Sequence, residues 1–127
     1  MEYATLVIML ALAQYLFFTT KTGLSRGKYG VDAPKCTGDE SFERIFRVQQ
    51  NTLEQLIVFI PALLAFSYFV SPIWGPCLGL VFIIGRFFYF HGYLNDPDKR
   101  GPGMMMTFIT NSLLVLGAFV GAILVLI

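Results

Sequence analysis

The sequence predicts an all-α integral membrane protein, a four-helix bundle over residues 1–127. Three observations carry that expectation. Four apolar stretches follow one another along the chain. Charged residues make up only 13% of 127 residues and hydrophobic ones 56%, against about 25% charged in a soluble domain. The basic residues gather in two loops, as they do beside membrane spans.

The first stretch runs over residues 3–20 and the third over 76–93. The fourth covers 104–127. A helix needs about 20 residues to cross the roughly 30 Å hydrocarbon core. The second run is clearest from Leu56 to Val70 and is too short alone. Its helix is therefore expected to begin upstream, near Phe42 or Arg44, giving a span of about 44–70. Asn51 and Glu54 then fall at or below the membrane surface, where polar groups face protein or a water-filled cavity. The linker Gly101-Pro102-Gly103 reads as a breaker before the fourth helix. Gly117 and Gly121 form a GxxxG that permits close helix contact.

Orientation follows from the cations. Lys21, Arg26, Lys28, Lys35, Arg44 and Arg47 lie between the first two spans, and Lys99 and Arg100 between the last two. The turn from Ser71 to Pro76 has none. Both basic loops are expected in the cytoplasm and both termini outside. The first span lacks a basic leader and its positive charges follow it, so it reads as an uncleaved span. The net charge of +1 provides no basic field for nucleic acid. The single histidine, His91, rules out a multi-histidine metal site within one chain. Cys36 and Cys77 are expected near opposite membrane surfaces, and hence as free thiols.

Two clusters stand out from this apolar background. In SFERIFRVQQNTLE, Ser41 to Glu54, the residues Arg44, Arg47, Asn51 and Glu54 recur at steps of three and four and share one helical face. A lone carboxylate at the depth of Glu54 is expected to protonate or find a cation, and Arg86 in the third span is the expected ion-pair partner. Arg86 suits a scaffold role as well as a binding one. Arg86, Tyr89 and Tyr93 repeat at helical spacing, and Arg100 follows seven residues later. Both clusters lie at the cytoplasmic ends of their spans. Together they would form a cationic, hydrogen-bonding pocket for a small anion. Glutathione, with two carboxylates, an amine and a thiol, is one compatible ligand. Nearby cations or donors would stabilise its thiolate.

FERIFRVQQNTLE resembles the FER-x-x-R-x-Q-x-N-x-x-E signature of the MAPEG family, the membrane-associated proteins in eicosanoid and glutathione metabolism. The likeness is to the branch of leukotriene C synthase and microsomal glutathione transferase 2. RFFYFHGY, Arg86 to Tyr93, resembles that branch's R-x-x-Y-F-x-G-Y. SRGKYGVDAP, Ser25 to Pro34, is similar to the loop of bacterial members. The resemblance implies a homotrimer in a bacterial inner membrane, with glutathione as co-substrate at each subunit interface on the cytoplasmic side. It implies that Arg47, Asn51, Glu54, Tyr89 and Tyr93 bind glutathione from one subunit and Arg26 and Gln49 from its neighbour. Arg100, with Tyr93, would be catalytic, stabilising the thiolate for attack on a lipophilic electrophile or lipid hydroperoxide drawn from membrane lipid. A non-catalytic lipid-binding protein of the five-lipoxygenase-activating type is the alternative. The branch has a tyrosine where this chain has Gln55 and a second arginine where it has Gly27. The resemblance therefore implies glutathione chemistry rather than one particular acceptor.

Overall fold

The computed structural model describes residues 1–127. Four long helices run up and down in chain order: α1 Glu2–Tyr29, α2 Glu40–Phe69, α3 Trp74–Asn95 and α4 Gly101–Leu126. All four are long and apolar enough to cross a membrane. At 1.5 Å per residue, α1 and α2 measure roughly 42 and 45 Å, so both outrun the hydrocarbon core. The excess lies where the cations lie. Lys21, Arg26 and Lys28 sit on the last turns of α1, and Arg44 and Arg47 on the first turns of α2. The two helices thus carry the polar site residues past the apolar slab on a rigid frame.

Local chemistry sets the ends. Gly30, at φ 69°, takes the left-handed conformation that closes α1, and its N–H donates to the Arg26 carbonyl. The Asp39 side chain accepts from the Phe42 N–H at 3.0 Å, and Glu40 and Glu43 follow in the first turn. Helix α2 therefore starts at Glu40, upstream of the expected Phe42 or Arg44. The Ser71 hydroxyl oxygen accepts from the N–H groups of Ile73 and Trp74, turning the chain into α3. A second correction concerns Gly101-Pro102-Gly103. This tripeptide is the first turn of α4, not a loop, because a proline at the head of a helix has no intrahelical N–H bond to lose. The linker proper is a single 3-10 turn, Pro97–Arg100, capped by Asp96.

Helix α2 packs against the other three. The larger core holds Ala4, Ala11, Leu63 and Leu114, with the Phe59 and Phe82 rings stacked at 3.9 Å. Small residues let the helices close up. Gly117 lies under the Phe66 ring and Gly121 against Phe69 and Val70, so the GxxxG serves α2–α4 packing within the chain. A smaller cluster of Phe18, Val48, Tyr89 and Phe90 sits toward the basic end. The outside is apolar: Leu16, Phe108, Leu116 and Phe119 are all exposed, as a surface solvated by lipid requires. Cys36 and Cys77 are free and exposed.

The tightest approach is that of α4 to α3 at Gly103. A methyl group there would stand 2.6 Å from the Tyr89 Cα and 2.8 Å from the Gly85 carbonyl oxygen, both backbone atoms that cannot yield alone. Gly103→Ala is expected to destabilise the bundle by about 1–3 kcal/mol, the usual cost of overpacking. Gly27→Ala, with nothing within 4 Å, is expected to be neutral. Unfolding of the detergent-solubilised protein by graded sodium dodecyl sulfate would compare the two.

Candidate functional site

Three groups at helical spacing on α3 and a fourth on the 3-10 turn after it form a ladder. The Arg86 guanidinium lies over the Tyr89 ring at 4.5 Å. The Tyr89 and Tyr93 rings stack nearly parallel, 5.5 Å apart. The Arg100 guanidinium lies 5.9 Å from the Tyr93 ring centre. The 3-10 turn brings this about by folding the chain back over the end of α3, where Gly92 leaves no room for a Cβ beside the Lys99 carbonyl. The ladder runs from the buried interior to the exposed Arg100. Each cation-over-ring contact is of a kind that holds a guanidinium in place while leaving its N–H groups free to donate.

On α2, Arg47 and Glu54 pair at 3.8 Å with half of each side chain exposed, 52% and 55%. Asn51, between them in sequence, turns inward and is buried. Its Oδ1 accepts from Arg86 Nη2 at 2.7 Å, while Arg86 Nη1 donates to the Thr107 hydroxyl at 3.3 Å. The α2 and α3 clusters therefore meet at one level.

The expected Glu54–Arg86 ion pair does not form. Arg86 is fully buried, 0% exposed, and the side chain of Glu54 points out toward Arg47. Three residues separate Asn51 from Glu54, which rotates the carboxylate about 60° around the helix from the amide. The amide, not the carboxylate, therefore meets α3. A neutral amide and a hydroxyl solvate the Arg86 charge, and its Nε has no partner.

Arg26 and Gln49 lie elsewhere. Arg26 donates to the Lys35 carbonyl at 2.6 Å and covers the Phe42 ring at 4.9 Å. Gln49 reaches the Tyr15 hydroxyl on α1 at 3.5 Å. Arg44, the head of the helix-two stripe, is spent on Glu40 and on the Leu94 carbonyl at the end of α3, which clamps α2 to α3 at the basic end.

Two residues of α4 join this region although the motifs did not mark them. Thr107 completes the Arg86 shell. Asn111 donates to Gln55 on α2. A signal was available: Gly103, Thr107, Thr110, Asn111 and Leu114 repeat at three and four in the most apolar helix, and all are buried.

This arrangement leaves two accessible guanidiniums, Arg47 and Arg100, and one carboxylate, Glu54, at the basic end of the spans. The model of the MAPEG family matches residues 4–120. The chain is 40% identical over 116 residues to an uncharacterized protein of Synechocystis, covering 91% of this chain and 85% of that one. It is 38% identical over 110 residues to human microsomal glutathione S-transferase 2, covering 87% and 75%. Against bovine leukotriene C4 synthase it is 30% identical over 94 residues, covering 74% and 63%.

Proposed function

The chain belongs to the MAPEG family, and from that premise we propose that it is a membrane glutathione transferase working as a homotrimer. The observation that carries the reading is the convergence of Arg47, Glu54, Tyr93 and Arg100 at one end of membrane-spanning helices. Charged groups half-exposed on such helices need a polar ligand or a protein neighbour over them. Both are supplied if glutathione sits there against a second copy.

The helical geometry supports a shared site. Gln49 lies two residues from Arg47 and Asn51, about 200° around the helix from each. One copy of α2 therefore cannot turn both faces to one ligand. In our reading Arg47, Asn51, Glu54, Tyr89 and Tyr93 hold glutathione from one copy, and Arg26 and Gln49 approach from its neighbour. The Glu54 carboxylate takes the ligand's amine and Arg47 a carboxylate. Arg100 lies beside the thiol. The thiol loses its proton to water or buffer and the thiolate is held by the guanidinium. It then attacks the electrophilic carbon of a lipophilic acceptor, whose leaving group departs with the bonding electrons. With a hydroperoxide, the thiolate attacks the terminal oxygen and the O–O bond breaks; with a proton taken back from the buffer this releases the alcohol and a sulfenic acid, which a second glutathione converts to disulfide and water. We place the basic end in the cytoplasm and both termini outside, in a bacterial inner membrane.

The test is glutathione-dependent turnover of chlorodinitrobenzene and cumene hydroperoxide by the purified protein, with glutathione affinity by calorimetry. Turnover of at least one acceptor is expected. Arg47→Ala is expected to weaken glutathione about tenfold or more, the loss of a charge-assisted hydrogen bond. Glutathione that neither binds nor turns over would leave the lipid-binding alternative.

A further inference from the structure

A crevice of about 200 Å³ opens at the basic end of the bundle, between the last turns of α1, the start of α2 and the end of α3. Lys21 and Lys28 line it, both exposed, seven residues apart and so on one face of α1. Leu24 lies between them with 69% of its surface exposed. Ile45, Phe90 and Leu94 give the crevice an apolar floor. Neither lysine is paired with a carboxylate. The chain has no acidic residue between Glu2 and Asp32, and α3 has none at all. On α2, Glu40 is spent on Arg44 and Glu43 turns to the Gly38 N–H. The walls therefore offer the two ammonium groups no counter-charge.

We propose that this crevice binds the headgroup of an anionic phospholipid. The phosphate lies between the two ammonium groups, and the first part of an acyl chain covers Leu24 and the floor. Depth and charge select that occupant. Helix α1 carries no charge from Tyr3 to Thr20. From Glu2 to Lys21 is roughly 28 Å of helix, close to the thickness of the hydrocarbon core. Lys21 therefore falls at the edge of the hydrocarbon and Lys28 roughly 10 Å beyond it, on the far side of a headgroup layer about 5–8 Å deep. A zwitterionic lipid brings its own cation, which the lysines repel. A free phosphate leaves the apolar floor uncovered. Lys21 lies over the Phe17 ring at 5.6 Å and Lys28 over the Tyr29 ring at 5.3 Å, contacts that hold a cation without neutralising it. Complementing the carbonyls at the end of α1 accounts for Lys28 but not for Lys21, two turns earlier. None of the lining residues belongs to the candidate glutathione site, and Arg26 is roughly 140–160° around α1 from both lysines. The proposal needs the membrane span but not the transferase reading.

The experiment is native mass spectrometry of the detergent-solubilised protein, titrated with dioleoyl phosphatidylglycerol or dioleoyl phosphatidylcholine and without glutathione. Wild type is expected to retain phosphatidylglycerol at about tenfold lower concentration or less, given about fivefold for each lysine near the surface. Lys21→Gln combined with Lys28→Gln should bring the two lipids to the same concentration. Lys35→Gln combined with Lys99→Gln removes the same charge elsewhere at the basic end and should leave the preference in place. All four lysines are exposed, so neither pair of changes disturbs the core. Excess glycerol 3-phosphate should not displace the bound lipid. Displacement by it would make the crevice a free-phosphate site and overturn the lipid proposal. Equal retention of both lipids in wild type overturns it too. So does a preference that survives in the first pair, or one that falls equally in both pairs, since that marks diffuse attraction to the basic end rather than a site.

Discussion

Arg100→Ala is expected to cut glutathione-dependent turnover roughly 100-fold or more while glutathione still binds. The magnitude is that of removing one oriented group that stabilises developing or resting negative charge at the reacting atom. The proposed task suits an arginine, which is unsuited to acid–base catalysis. An arginine guanidinium keeps its charge at every working pH, so it can hold a thiolate but cannot take its proton. It is exposed at the end of the α3 ladder, over Tyr93 rather than tied to a carboxylate. Its N–H groups are free to reach sulfur. The readout is the ultraviolet absorbance of the thiolate in the complex across pH. In wild type the midpoint should lie below the value near 8.5 of a free thiol, and in Arg100→Ala it should return toward that value. Tyr93→Phe keeps the ring that supports Arg100 and removes only a hydroxyl, so its effect should be smaller. Equal midpoints in wild type and Arg100→Ala would pass the role to Tyr93.

Asn51→Leu is expected to be the most destabilising conservative change in the bundle, by about 3 kcal/mol. It strips a fully buried guanidinium of its shorter hydrogen bond, 2.7 Å, and leaves the Thr107 hydroxyl at 3.3 Å as its sole acceptor. An uncompensated charge in a low-dielectric interior is costly, whereas apolar groups replacing both partners are often tolerated. Adding Arg86→Met to Asn51→Leu should therefore recover most of the lost stability. Graded denaturation of the two single variants and the double closes this cycle. Glutathione affinity in the double variant separates the two roles of Asn51. Recovered stability with weak binding would mean that Asn51 both holds Arg86 and contacts ligand. If stability does not recover, Arg86 is needed for packing as well as for its hydrogen bonds.

The two results depend on different levels of information. Arg100 could be chosen from the sequence, because a basic residue seven positions beyond Tyr93, just past a span, has few places to go. The importance of the Asn51–Arg86 contact could not. Helical spacing put Arg47, Asn51 and Glu54 on one face, but a face is about 100° wide. Which of three neighbours on that face meets the next helix depends on the angle at which the two helices are set. The structure gives that place to the amide and turns the carboxylate outward, reversing the ion pair that charge alone had favoured.

The same division holds for the whole chain. By itself the sequence determined the membrane and the four helices, though not where each helix begins and ends. Each of these is a property of a segment and its solvent: apolar length against bilayer thickness, a loop too basic to cross. It also singled out the candidate site residues, since charges and phenols at helical spacing are conspicuous where almost everything else is hydrocarbon. Only the tertiary structure decided that Gly101-Pro102-Gly103 opens a helix rather than ending a loop. Only it decided that Gly103 lets α4 press on the backbone of Tyr89, that Thr107 shares the Arg86 charge, and that Asn111 donates across to Gln55 on α2. Those outcomes rest on contacts between residues 14 to 56 positions apart. A contact across two helices is fixed by their relative rotation and depth, which no periodicity within either helix encodes.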